Sequence, residues 1–353
     1  MFALGLLFGS LAQYINPNTL LLPSFFGLGF LPFLVINIIA VVFWLFAKTK
    51  YIWLSLLAMI LSGSTIMNHF ATSEEPVVNR DADLKVMSYN VRLFDLYNWS
   101  SNKKTRNLIF DYLVEEDADI ICFQEFFNSN DKKYFNTLDT LIKLQKAIHV
   151  HDVYTSKMHK GVNQFGIATF SRFPIVNKQT IPLDTAGHNV AIFTDIKTDK
   201  GIVRVFNLHL ASVHLSGMEK DINEHIDKQD QQQQLNDLRV MVSRLAGGFK
   251  RRASQAEVIE KIIADSPYPV IICSDLNDTP ASYAYHSIKG NLKDAFLEKG
   301  NGLGTSYIGF IPSLRIDYIL LDTNFAVSEF KLPNINLSDH KPVVAGLNFK
   351  TQR

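Results

Sequence analysis

The chain has 353 residues and a formal net charge of +1, from 35 basic and 34 acidic side chains. That length holds one large domain, or two ordinary ones, plus an appendage, and the balanced charge gives no push toward nucleic acid. Two cysteines, Cys122 and Cys273, are too few for a disulfide framework and lie inside apolar runs, where buried free thiols are expected.

The first 70 residues contain no acidic side chain and only two basic ones, Lys48 and Lys50. Phe25 to Ala47 is uncharged and, at more than the roughly 20 apolar residues a bilayer requires, is long enough to span as a helix. Tyr51 to His69 makes a second span and the shorter Met1–Ile15 run a third. About three transmembrane helices over 1–70 are therefore expected. A cleaved signal peptide fits poorly, because a basic leader is missing and long apolar runs follow at once. Lys48 and Lys50 in the turn between the two longer spans place that turn in the cytoplasm. The chain is then expected in the plasma or inner membrane, with the remainder on the extracytoplasmic side. Residues 71–83 are polar, contain Pro76 and lack periodicity, as a linker does.

From Leu84 to about residue 350 the pattern alternates. Strands are predicted at Leu84–Tyr89, Ile120–Phe123, Ile167–Phe170, Ala191–Ile196, Val203–Leu208, Val270–Cys273 and Ile316–Leu321, all short, apolar and bounded by turn residues. Helices are predicted at Lys103–Glu116, Tyr134–Lys146 and Gln255–Ala264. The polar, Gln-rich stretch at 218–248 is expected as an inserted helical arm. Strands with helices recurring between them point to an α/β domain of sheet layers flanked by helices.

Polar groups recur where these strands end: Asn90, Gln124-Glu125, His209, Asp275-Leu276-Asn277, Asp317 and Asp339-His340. A strand that terminates in a carboxylate, amide or imidazole carries that group to the rim of a rigid scaffold. Each alone reads equally as a turn former, a helix cap or a satisfied histidine; six such ends in one domain make the case. Spaced cysteine clusters are missing, so a soft zinc site is excluded. Carboxylates and amides suit hard cations, Mg2+ or Mn2+ with Ca2+ as a further option, and such ions serve phosphate chemistry.

The succession MSYNVR (87–92), IICFQE (120–125), FNLHL (206–210), IICSDLND (271–278), RIDYIL (315–320) and LSDHKPV (337–343) resembles the endonuclease/exonuclease/phosphatase superfamily, of the deoxyribonuclease-I-like type. The resemblance implies a four-layer α/β sandwich of two packed, mainly antiparallel sheets, and a metal-dependent phosphoester hydrolase. Carried over by motif, Glu125 is the principal metal ligand, with Asn90 beside it and Asp339 contributing. Asp275 and Asn277 align the attacking water and the phosphate. His340 contacts the scissile phosphate and is oriented by Asp317, His209 is a second histidine of the site, and Arg92 is a further phosphate contact. The alternative is a membrane-tethered, non-catalytic binding or scaffold protein on the same fold, against which all six signatures are intact. The substrate stays open between phospholipid, nucleic acid and soluble phosphoester. Lys103-Lys104, Lys132-Lys133 and Lys250–Arg252 are too scattered for a clear nucleic-acid groove, and the aromatic loop Thr305–Pro312 suits a base or an acyl chain. Beyond the bilayer, the chain calls for no obligate protein partner.

Overall fold

Short runs of β-branched and aromatic residues make sheets, and the apolar N-terminus makes helices. The computed structural model describes residues 1–47, 49–73, 82–132, 134–146, 148–183, 189–213, 231–309 and 314–350. The N-terminal module comprises α1 (Phe2–Leu11), α2 (Leu22–Leu28), α3 (Phe30–Phe46), a 3-10 turn at Thr49–Tyr51, α4 (Ile52–Leu61) and α5 (Gly63–His69). Among the described residues no single helix is long and apolar enough to cross a membrane, which corrects the expectation of three straight spans. The first predicted span is broken into α2 and α3 with a bend of 71°, and the second into Thr49–Leu61 and α5 with a bend of 64°. Pro32 explains the first break: it has no N–H to give to the Leu28 carbonyl, so the hydrogen-bond ladder stops there. The second falls at Ser62-Gly63. Lys48, on which half of the topology argument rested, lies outside the described residues.

The expected linker starts later than predicted. Ala71–Thr72 form β1 and pair with β11 (Asn301–Gly302), while 74–81 lie outside the described residues. The remaining strands are β2 (Leu84–Asn90), β3 (Ile120–Ser129), β4 (His149–Met158), β5 (Asn163–Ser171), β6 (Ile175–Pro182), β7 (Val190–Thr198), β8 (Gly201–His209), β9 (Val270–Asp275), β10 (Lys293–Asp294), β12 (Asp317–Leu321), β13 (Phe325–Lys331) and β14 (Val343–Phe349). The helices are α6 (Thr105–Glu116), α7 (Thr137–Gln145), α8 (Gln231–Ala264), α9 (Tyr283–Lys289) and α10 (Ala295–Lys299). The helical arm expected at 218–248 and the helix expected at Gln255–Ala264 are one continuous element from Gln231; residues 218–230 lie outside the described residues.

Two six-stranded sheets carry the domain, ordered β10-β12-β9-β8-β7-β6 and β13-β14-β2-β3-β5-β4. Among these strands β2–β3 and β8–β9 pair in parallel and the others antiparallel. Val86, Ile120 and Cys122 from one sheet pack against Val205, Ile271, Cys273 and Ile319 from the other, and this inter-sheet layer is the central core. Both cysteines are free and buried there. On the outer faces, Ile109, Phe110 and Leu141 of α6 and α7 cover the sheet that contains β2 and β3, and Ala256, Ile259 and Tyr285 of α8 and α9 cover the sheet that contains β8 and β9. The layers are helix, sheet, sheet, helix, a mixed α/β sandwich. Strands missed from sequence include β4, β6 and β13, which all lie at or near sheet edges, where the pattern is polar and half-exposed. Strand β14 runs unbroken through Gly346, where an added Cβ would stand 2.9 Å from the Ser328 hydroxyl and 3.2 Å from the Glu329 Cβ, beside the register shift between Val327 and Glu329 of β13.

The N-terminal module is docked, not dangling. Asn16 donates to Glu257 at 2.6 Å and Asn18 to Ser254 at 3.2 Å, both on α8. Phe25 meets Phe249 edge-on with ring centroids 5.3 Å apart. Gly27 permits a close approach: a Cβ there would lie 2.8 Å from that of Ala12 and 3.5 Å from the Ala281 carbonyl. Buried Arg315 donates to Asp294 at 2.6 Å and to the Asn68 carbonyl at the end of α5 at 2.5 Å, tying the sandwich to the module.

Candidate active site

Strand register gathers the polar strand ends. Asp275 is paired with His209 across the parallel β8–β9 ladder and with Asp317 across the antiparallel β12–β9 ladder. In the facing sheet, Asn90 is paired with Gln124. Between Phe123 and Phe126 the β3–β5 register shifts, and Glu125 takes a left-handed backbone with φ 49°. That bulge removes Glu125 from the ladder. Arg92 (φ 42°) and Asn277 (φ 51°) are also left-handed. Such conformations cost a branched or long L side chain about 1 kcal/mol or more and persist where the surroundings fix them, which is common at functional sites.

A cleft of about 470 Å³ is lined by Arg92, Glu125, His209, Asn277, Asp339 and His340, among others. Asn90, Asp275 and Asp317 stand behind them, buried. The Asn90 amide donates to Glu125 at 3.3 Å and to Asp275 at 2.9 Å, while its oxygen accepts the Arg92 N–H at 3.0 Å. Asn277 closes over Asp275 through its backbone N–H at 2.9 Å, and its side chain donates to the Leu210 carbonyl at 3.2 Å. His209 Nε2 lies 3.6 Å from Asp275 and 3.9 Å from Glu125. It is buried without a hydrogen-bond partner.

His340 sits between two acids. Its Nδ1 is 3.0 Å from Asp317 and its Nε2 is 3.8 Å from Asp275. Burial alone would lower its pKa, but the Asp317 and Asp275 carboxylates outweigh it and raise the value to about 10. For Asp317, burial dominates and pushes the pKa upward against the pull of the imidazole. The ring is therefore read as an imidazolium held by Asp317. Asp339 is 3.3 Å from Arg92 Nε, and the Arg92 guanidinium also lies 4.4 Å from the Trp99 ring centroid.

Asp275, Asp317 and His340 each offer a ligand atom within 4.8 Å of one another, a spacing that admits a metal ion. His340 already uses Nδ1 on Asp317, so the Glu125–Asp275 side is the better place for a hard cation: two carboxylates converge there on one amide, beside the unpartnered His209 nitrogen. The donor chemistry fits. Asn90, expected beside the metal, here turns its amide nitrogen to the acids while its oxygen accepts the Arg92 N–H. It acts here as a clamp on Glu125 and Asp275. Asp339 is engaged by Arg92.

Several supporting residues escaped the sequence reading. Gln124 donates to Asn207 at 2.8 Å, and Asn207 donates to the Phe123 and Ala168 carbonyls at 3.2 and 3.1 Å, a buried bridge between the two sheets beneath the cleft. Ser338 donates to the Asn90 carbonyl at 2.9 Å and accepts the His340 N–H at 3.3 Å. Ser306 accepts the Asp317 N–H at 3.1 Å, and Tyr307 meets the His340 ring edge-on at 5.1 Å. Gln124 and Ser338 directly precede the motif acids Glu125 and Asp339, a signal of their place though not of their partners. Arg252, read from the sequence only as part of a scattered basic cluster, is buried in mid-helix and donates to Asp278 at 2.9 Å.

Comparison with known proteins agrees with this geometry. Residues 87–340 match the model of the "Endonuclease/Exonuclease/phosphatase family", and residues 1–69 match that of a domain of unknown function. No curated protein sequence matches the chain. Among solved structures, an endonuclease/exonuclease/phosphatase from Beutenbergia cavernae superposes with TM-score 0.54 at 17% identity, covering 75% of this chain and 71% of that one. The human Nocturnin catalytic domain gives TM-score 0.51 at 18% identity over 76% and 94% of the two chains. A Bacteroides thetaiotaomicron mannosyl-6-phosphatase gives 0.51 at 18% over 75% and 100%.

Proposed function

The chain belongs to the endonuclease/exonuclease/phosphatase family, and from that premise we propose that it is a divalent-metal-dependent phosphoester hydrolase held at a membrane by its N-terminal module. The observation that carries the hydrolase reading is the convergence of His209 and His340 on Asp275, with Glu125 beside the unpartnered His209 nitrogen.

A bound Mg2+ or Mn2+ at Glu125 would neutralise phosphoryl oxygens and stabilise the leaving oxygen. The protein's own part is positional. Asp275, fixed by Asn90 and by the Asn277 N–H, aligns the attacking water and takes its proton. His340, kept charged by Asp317, donates to a non-bridging oxygen where negative charge grows. His209 Nε2 supplies a second donor or acceptor from the opposite side. Arg92 holds Asp339 and reaches the cleft rim.

Membrane attachment is supported by surface chemistry. Ile39, Val42, Phe43, Trp53, Leu57 and Ile60 are each more than half exposed, on a module without a single acidic residue. An apolar surface of that extent needs a cover, and lipid is the cover that a module with no acidic residue and two lysines fits. Of the two bent helix pairs, each crosses the bilayer or enters and returns. The proposed extracytoplasmic placement of the sandwich requires the Thr49–His69 pair to cross from a cytoplasmic two-lysine turn.

The test uses the full chain in detergent with bis-p-nitrophenyl phosphate. Hydrolysis should require Mg2+ or Mn2+ and disappear with EDTA, and the His340→Ala variant should lose about 100-fold or more. Metal-independent turnover, or a fully active variant, would remove the assignment. Carbonate washing should leave the chain in the membrane pellet; release into the supernatant would remove the anchor.

A further inference from the structure

The cleft joins two chemistries. One end carries Glu125, His209 and His340; the other is walled by Leu28, Val213, Leu245 and Phe249. Leu28 is not part of the sandwich. It is the last residue of α2, at the 71° bend into α3, so the N-terminal module itself closes one side of the catalytic cleft. Phe249 packs on Phe25 of the same helix at 5.3 Å, and this apolar wall is continuous with the module. On α8 the wall extends outward: Leu235, Leu238 and Val242 precede Leu245 and Phe249 at spacings of three and four, one helical stripe. The inner two are buried and the outer three exposed.

From this arrangement we propose that the substrate is an amphiphile drawn from the bilayer, a phosphoester of a long-chain alcohol or acylglycerol. Its phosphate sits at the Glu125–His340 end and its chain lies along Leu28, Leu245 and Phe249. The inference rests on the hydrolase reading and names its substrate class. A nucleic acid is disfavoured by the arginines. Among the described residues, the two that line the cleft, Arg92 and Arg252, are both engaged with carboxylates, those of Asp339 and Asp278, whereas a polyanion needs a row of cations for its backbone. In the reaction, the water oxygen bonds to phosphorus as the P–O bond to the leaving alcohol breaks. One water proton ends on the departing alcohol and the other on the phosphate product or in solvent.

The experiment is a chain-length series. Methyl, butyl and hexyl p-nitrophenyl phosphate are supplied as monomers to the full chain in detergent with Mg2+, and the hexadecyl ester is supplied in phosphatidylcholine vesicles to chain reconstituted in the same lipid. A rise in kcat/KM of at least tenfold from methyl to hexyl, with hexadecyl cleaved from the vesicle, is the expected result. A flat series with the methyl ester readily cleaved overturns the amphiphile proposal and leaves the hydrolase reading standing. Cleavage of no ester in the presence of metal overturns both. Hexyl preference without cleavage of the vesicle ester overturns the bilayer as source. Leu28→Gln should reduce the hexyl-to-methyl ratio at least fivefold. That ratio is read within one protein sample, so partial unfolding does not mimic it, and a ratio equal to the parent's overturns the assignment of the wall to Leu28.

Discussion

The sandwich and the N-terminal module solve opposite problems with one chain. In the sandwich, buried charges come in pairs: Arg204 with Asp195, Arg252 with Asp278, Arg315 with Asp294 and His340 with Asp317. In the module, acidic residues are missing altogether, and its buried polar groups, such as Gln13 donating to Thr65 at 2.8 Å, are uncharged. The sandwich hides its apolar surface between layers, and the module displays it on α3 and α4. The difference teaches where each part draws its stability: the first from burial against itself, the second from a small cluster around Leu6, Phe30 and Leu34 and from its contacts with the sandwich. The two meet at Arg315–Asn68 and at Leu28, where the module becomes part of the site.

The sharpest way to separate the two regions is Glu125→Gln. It removes one oxygen charge from a strained, part-exposed position, so kcat/KM should fall about 1000-fold on any ester, while the thermal transition stays within about 2 °C. A matching loss of stability would mean that Glu125 is structural. Arg315→Met tests whether the regions are independent. It leaves Asp294 buried and unpaired and frees the Asn68 carbonyl, so a loss of about 3–5 kcal/mol is expected in chemical denaturation. Limited proteolysis should also reach 74–81 faster. An unchanged proteolysis rate would show that the tie does not hold the module.

Asp317→Asn addresses the charge inside the site. A histidine whose folded pKa is raised contributes stability fully below its unfolded value, near 6.5, and loses it as pH rises through about 10. Without Asp317 the raising influence falls to Asp275 and Asp339. The alkaline limb of kcat/KM should move toward neutrality by about one pH unit or more, and a limb that stays in place would exclude His340 as its origin. The smallest effect is expected at His151, far from catalysis. Burial lowers its pKa to about 4, and its neutral ring lies 2.9 Å from the Thr194 hydroxyl. Stability from that neutral form is complete above about 6.5 and is lost as pH falls toward 4. His151→Asn should therefore flatten the acid side of the melting-temperature profile by a few degrees. An unaltered acid slope would place the titration elsewhere.

The central strands were legible because β2, β3, β8, β9 and β12 are buried on both faces and read as short apolar runs. The edge strands β4 and β6 were not, since half their side chains face water. Site residues were legible for a related reason: a polar group at the end of an apolar run, as in Cys273-Ser274-Asp275, has no local explanation. Residues that act across the sheet interface, Gln124 with Asn207, or across the two regions, Arg315 with Asn68, give no such signal, because their partners are fixed by packing and lie 83 and 247 positions away. The Asn90 amide could be placed at the site by its position, but the direction it faces is set by Arg92 and Asp275 in space. The broken helices show the converse error. Hydropathy averages over a run, and the single missing N–H of Pro32 is invisible to an average.

The Arg315 contact also has a meaning in time. Synthesis delivers α1 to α5 first, and the residues that bind this module and complete the cleft, Arg315, Asp317 and His340, come last. A nascent chain therefore has its apolar helices complete long before Asp317 and His340 can join Asp275. On the reading proposed above, an unfinished chain holds the membrane module but lacks the phosphate site.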